Sequence, residues 1–329
     1  MTLSLAAVLL LVLAAEFANG VTDAPNAIAT VVSTRVLSPY RAVAMAAVLN
    51  ILGALVTGTA VAATIGKDMV KPEAIGLHTV AAALITIVIW TTVAWRLGLP
   101  TSKTHEMVAG LAGAGIATAG PSVLLWDGWQ KVLLGLGLST VLGFLFGFLV
   151  MVVIYRLFYR ARTAVIRATF GRLQILSAAF MAFSHGSNDG QKFMGIFSLA
   201  LFLGGVLPEF EVPIWVILLC GVVMGVGTSL GGWRIVRTMG FRLTRLEPVN
   251  GFAAESSASA AILLASHLGI PLSTTHAINT AIMGVGSTRR FSAVRWGVTR
   301  QIVLTWLLTF PVCGLLGFLL ACLLQPIMR

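Results

Sequence analysis

SHGSNDGQKF, Ser184 to Phe193, sets a histidine, two serines, an asparagine, an aspartate, a glutamine and a lysine into otherwise apolar sequence. Hydrophobic residues make up 58% of the 329 and charged residues 10%, with a mean hydropathy of +0.96, far from the balance of a soluble domain. The chain reads as an all-α polytopic membrane protein. Apolar segments long enough to cross a bilayer recur at Ala42–Ala63, Ala74–Trp95, Val132–Ile154, Ile214–Gly232 and Val298–Leu324, leaving no room for a sizeable soluble domain. The N-terminal run MTLSLAAVLLLVLAAEFANG lacks the basic start of a secretory signal and reads as a retained first helix. Cys220, Cys313 and Cys322 lie in apolar runs and form no disulfide or metal framework.

Working outward, the polar stretch has a counterpart. ANGVTDAPNA (Ala18–Ala27) is followed by GLPTSKTH (Gly98–His105), and SHGSNDGQKF is followed by GIPLSTTH (Gly269–His276) at nearly the same interval. Two weak motifs in the same order indicate a duplication. Residues 1–155 form a first transmembrane repeat, 156–173 a short basic cytoplasmic linker, and 174–329 a second repeat. Five segments per half is an odd number, so the copies are expected in opposite orientations, with discontinuous helices or re-entrant hairpins at the centre. The net charge of +11 sits in arginines and lysines at segment ends, so it points to membrane orientation and not to nucleic acid. With both termini outside, most basic residues, among them Arg35, Arg96, Lys103 and the linker arginines, fall on the cytoplasmic side.

Ionisable groups inside a bilayer cost roughly 2.5 to 3.5 kcal/mol each at a helix centre and tend to face a pathway. The candidates are Glu16, Asn19, Asp23, Asn26, His105, His185, Asn188, Asp189, Lys192, Glu255 and His276, and most belong to the paired motifs. PTSKTH and PLSTTH read as helix starts, a proline followed by capping hydroxyls. A helix that begins inside the membrane offers free amides and the positive end of its dipole to an oxyanion. Asp23 and Asp189 would repel that anion, so a proton or sodium ion must accompany it. No nucleophile elbow, zinc-protease helix or nucleotide-binding glycine loop is present.

At GVTDAPNA and GSNDGQKF the sequence resembles the duplicated signature of the inorganic phosphate transporter (PiT) family, and HGSNDGQK is very similar to the string of its bacterial low-affinity permeases. The resemblance covers both halves. It implies a multi-pass symporter of inorganic phosphate in the cytoplasmic membrane, with no enzymatic activity, no resident cofactor and a co-transported cation. The expected phosphate-binding set is Ser102, Thr104, Gln191, Lys192, Ser273, Thr274 and Thr275. The expected cation- or proton-coupling set is Asp23, Asn26, Asn188, Asp189, Glu16 and Glu255, with Asp23, Asn26 and Asp189 as candidate sodium ligands. Gln191 and Lys192 depart from the sodium-coupled pattern, which favours proton coupling if the Lys192 ammonium stands in for sodium; snorkelling to the surface is the alternative for Lys192. Sodium coupling, sulfate as substrate, a channel and an intramembrane hydrolase remain alternatives. Carriage of a metal-phosphate complex and assembly as a homodimer are left open.

Overall fold

In the computed structural model, residues 2–328 are described; all regular structure among them is helical, and no strand forms. The first half runs α1 (Leu3–Ser33), α2 (Pro39–Val56), α3 (Ala60–Lys67), α4 (Leu77–Leu97), α5 (Lys103–Ala119) and α6 (Trp126–Phe158). The second half runs α7 (Thr163–Leu203), α8 (Ile214–Thr228), α9 (Trp233–Arg237, continued by a π turn over Thr238–Arg242), α10 (Pro248–His267), α11 (Thr274–Ser287) and α12 (Trp296–Leu324). The succession is the same in each: a long helix carrying the aspartate motif, a broken pair, a middle helix, a short capped helix and a long apolar helix.

Two segments expected to be continuous are broken. The run Ala42–Ala63 divides where Gly58 takes φ 81°, a left-handed conformation that glycine adopts without steric cost. Ile214–Gly232 ends at a 60° bend between α8 and α9, through Gly231 at φ 82° and Gly232 at φ 53°. The expected basic linker, 156–173, is largely helical. Only 159–162 separate α6 from α7, and the remaining residues extend those helices.

Five helices, α1, α2, α4, α6 and α12, are long and apolar enough to cross a membrane, and the bent pair of α8 with α9 and its π turn is so only when the two parts are taken together. The chain is therefore a multi-pass membrane protein. α7 is longer than any of these, at 41 residues, but interrupts its apolar sequence with SHGSNDGQK. α5 and α11, at 17 and 14 residues, reach about 26 and 21 Å at 1.5 Å per residue, short of the roughly 30 Å hydrocarbon layer.

Each short helix is held by the other half: α5 packs along α12, and α11 along α6. Glycines make these approaches possible. A Cβ at Gly113 of α5 would lie 1.9 Å from the carbonyl oxygen of Gly314, and one at Gly284 of α11 would lie 2.1 Å from that of Phe144. The same exchange joins α2 to α7 and α8 to α1. Two large apolar clusters result, each drawing on both halves. α1 gives Leu5–Ala15 to one and Ala24–Val31 to the other; α7 gives Phe193–Leu201 to the first and Phe170–Ala182 to the second. The polar motifs occupy the seam between the clusters.

Candidate functional site

The paired PTSKTH and PLSTTH motifs do start helices. Ser102 is the N-cap of α5 and accepts the His105 N–H at 3.3 Å; Ser273 is the N-cap of α11 and accepts the His276 N–H at 3.2 Å. These bonds satisfy one of the free amides of each first turn. Both starts are buried, and they meet. Thr104 donates to the Leu272 carbonyl at 3.1 Å, and the His105 and His276 rings lie edge to face with centroids 4.6 Å apart. Trp306 of α12 secures the junction by stacking on His276 at 3.8 Å and donating its indole N–H to the Pro100 carbonyl at 2.9 Å.

Both aspartates face this junction. Asp23 accepts from Asn26 at 3.1 Å and from Thr275 at 3.3 Å. Asp189 accepts from the Lys192 ammonium at 2.6 Å and from Thr274 at 3.3 Å, and Lys192 also donates to the Leu272 carbonyl at 3.0 Å. Aligning TDAPN with NDGQK places Asn26 and Lys192 at equivalent positions, three residues after each aspartate. One turn of helix brings such residues onto the same face, so both donors reach the carboxylate beside them. Pro25, inside α1, lacks the N–H that would bond the Val21 carbonyl, which loosens the helix beside Asp23.

His185 joins the pair. Carboxylate oxygens of Asp23 and Asp189 and a His185 ring nitrogen all lie within 4.8 Å of one another. Asn50 donates its amide to Thr228 at 3.0 Å, which leaves its oxygen to accept from His185 Nδ1 at 3.1 Å. The His185 Nε2 lone pair then faces Asp189 Oδ2 at 3.5 Å without a hydrogen between them. Two facing lone pairs repel, and a proton or small cation placed between them removes the repulsion.

Residues 19–317 match the phosphate transporter family. The chain belongs to that family. It is 43% identical over 305 residues to a Rhizobium meliloti (strain 1021) protein named "Probable low-affinity inorganic phosphate transporter", covering 92% of this chain and 91% of the relative. A Bacillus subtilis (strain 168) protein of the same name is 39% identical over 308 residues, covering 93% and 92%. A solved structure described as "The sodium-dependent phosphate transporter" is similar over 99% of this chain and 100% of its own, with a TM-score of 0.90 and 25% identity. The phosphate transporter family consists of transporters, which sets aside the hydrolase reading.

For this phosphate transporter family member, the structure brings Asp23, Asn26, Asp189, Lys192, Ser102, Thr104, Ser273, Thr274 and Thr275 to one junction. Lys192, 1% exposed, does not snorkel. Gln191, of the expected anion set, is engaged by backbone in this structure. Its carboxamide accepts the Val61 N–H of α3 at 2.9 Å and donates to the Ser187 carbonyl at 2.8 Å, so it caps the helix restart after Gly58. Asn188 turns to α10 and donates to Ser266 at 2.8 Å. Glu16 accepts from Asn19 at 3.2 Å one turn further along α1. Glu255 forms a separate cluster in which it accepts from Thr30, Ser177 and Gln174.

The largest correction concerns Lys103, expected at the cytoplasmic surface. It is 2% exposed, with its ammonium 3.6 Å from Asp23 and 3.1 Å from Glu106, whose carboxylate also accepts from Thr91. Sequence reading missed Glu106 altogether. The signal was there in K-T-H-E, an opposite-charge pair three residues apart at a helix start framed by apolar sequence.

Proposed function

We propose that this protein imports inorganic phosphate together with a cation, by alternating access around the junction of the α5 and α11 N-termini, and that the cation is a proton. The observation that carries the reading is the meeting of two capped helix starts with two buried aspartates. First-turn amides and the hydroxyls of Ser102, Thr104, Ser273, Thr274 and Thr275 supply donors for an oxyanion, while Asp23, Asp189 and His185 hold the accompanying positive charge. Phosphate also carries ionisable protons that can bond a carboxylate, which sulfate lacks near neutral pH. Proton coupling is supported by Lys192, whose ammonium lies against Asp189 where a sodium ion would otherwise balance the charge.

The repeated element order and the reciprocal packing of α5 on α12 and α11 on α6 support inverted repeats. Arg35, Arg167, Arg245 and Arg295 line a cavity of about 750 Å³, which supports a basic cytoplasmic face with both termini outside. Sodium coupling is the second reading, favoured by the likeness to a solved transporter described as sodium-dependent.

Reconstitution into proteoliposomes tests both. Uptake of radiolabelled phosphate is expected to follow an imposed inward proton gradient, to be indifferent to sodium and to be competed by arsenate. Uptake driven by sodium and insensitive to the proton gradient overturns the proton reading; competition by sulfate in place of arsenate overturns the choice of phosphate.

A further inference from the structure

Lys103 and Glu106 form a device that the second half lacks. Aligning PTSKTH with PLSTTH pairs Lys103 with Thr274 and Glu106 with Ala277. Thr274 contacts Asp189 at 3.3 Å through a short hydroxyl, whereas Lys103 approaches Asp23 at 3.6 Å with a full positive charge. Each aspartate therefore has one lysine, but from different places: Lys192 from the aspartate's own helix, Lys103 from the short helix of the same half. The two lysines also differ in their holdings. Lys192 has Asp189 as its close carboxylate, while Lys103 stands between two, nearer to Glu106 at 3.1 Å than to Asp23 at 3.6 Å, with Thr101 at 3.4 Å. Glu106 is fixed in turn by the Thr91 hydroxyl of α4. A flexible four-carbon stem lets a lysine ammonium move between acceptors this close without any backbone change.

We propose that Lys103 is a resident cation that exchanges between Asp23 and Glu106, neutralising Asp23 when the transported cation is absent and withdrawing to Glu106 when that cation arrives. Glu106 is then the parking position of the ammonium, and Lys103 acts on the cation site as a positioning residue. The consequence is that the emptied carrier returns without an exposed buried charge on Asp23. A buried carboxylate stripped of its partner is strongly unfavourable, so a resident counter-charge lowers the barrier to the return step. The proposal rests on the reading of Asp23 as a cation-coupling group, but not on which cation is transported.

The test replaces Lys103 by its counterpart from the other half, Lys103→Thr, and separately changes Glu106→Gln. With Lys103 gone, Asp23 and Glu106 are uncompensated, and a small cation should take its place. The purified Lys103→Thr protein is expected to show an upward shift of several degrees in its unfolding midpoint in sodium chloride relative to choline chloride, beyond any shift of the wild type, and to gain sodium-stimulated phosphate uptake. Glu106→Gln leaves Lys103 with Asp23 as its remaining carboxylate, and maximal uptake should fall about tenfold with little change in half-saturating phosphate. A monodisperse Lys103→Thr protein with no added sodium response overturns the proposal, as does wild-type maximal uptake by Glu106→Gln. Sodium-driven uptake by the wild type overturns the proton reading instead, because the added response of the variant is measured against that baseline.

Discussion

At the scale of single residues, the junction is governed by how buried charges are matched. Asp189 and Lys192 are each 1% exposed and lie 2.6 Å apart, so neither can turn to water for compensation. Removing one member of such a pair costs about 3–5 kcal/mol, chiefly because the other charge is left alone. Lys192→Met, which keeps an unbranched but slightly shorter side chain and removes the charge, is therefore expected to lower the unfolding midpoint of the purified protein and to reduce phosphate uptake to background. Retention of both would show that Asp189 does not depend on this ammonium. Much of this site was legible in sequence, because an aspartate, an asparagine or lysine three residues on, and a capped helix start are all local patterns. The role of Lys103 was not. Its flanks resemble those of a surface lysine at a segment end, and only the approach of α1 and α5 shows that its ammonium lies beside Asp23.

At the scale of elements, the short helices α5 and α11 present their N-termini inside the protein because they are clamped along α12 and α6. The clamp depends on glycine. Adding a methyl group at Gly113 or Gly284 places it within 2.1 Å or less of a backbone oxygen, and backbone cannot move aside as a flexible side chain can. Overpacking of this kind typically costs about 1–3 kcal/mol. Gly113→Ala and Gly284→Ala should each lower the unfolding midpoint, whereas Gly137→Ala, on an exposed face of α6 with nothing within 4 Å, should be neutral or slightly stabilising. Equal behaviour of the three variants in a thermal melt would refute the clamp. The sequence showed that these helices are rich in small residues; it did not show that each half clamps the other's helix.

At the scale of the whole molecule, two apolar clusters flank one polar seam. Along α1 and its C-cap the residues Glu16, Asn19, Asp23, Asn26, Thr30 and Thr34 recur every three or four positions, so a polar stripe follows the helix from one cluster to the other. On the arginine side the stripe is closed. Thr34, which lines the basic cavity, donates to Gln174 at 2.8 Å; Gln174 donates to Glu255 at 3.3 Å, and Thr30 and Ser177 donate to the same carboxylate. Glu255 thereby joins α1, α7 and α10 between the aspartates and the cavity. Glu255→Ala leaves the Thr30 hydroxyl and the Gln174 amide without their acceptor, each at a cost of about 1–3 kcal/mol if it stays buried, while Ser177 keeps the Gln174 carbonyl. Amide exchange over residues 28–34 is expected to accelerate in that variant relative to the turns around Asp23. Unchanged exchange there would mean that the closure is held by packing alone.

The sequence by itself determined the membrane setting, the repeated order of the two motifs, the helix starts at Ser102 and Ser273 and the paired aspartates. Each of these follows from composition or from residues within a few positions of one another. Tertiary structure decided which groups meet: Lys103 with Asp23 and Glu106, His185 with both aspartates, and Gln191 with the restart of α3. Those partners come together through the crossing of α1 and α7 and through the exchange of short helices between halves. Local sequence fixes which face of a helix a side chain occupies, but not which helix that face meets.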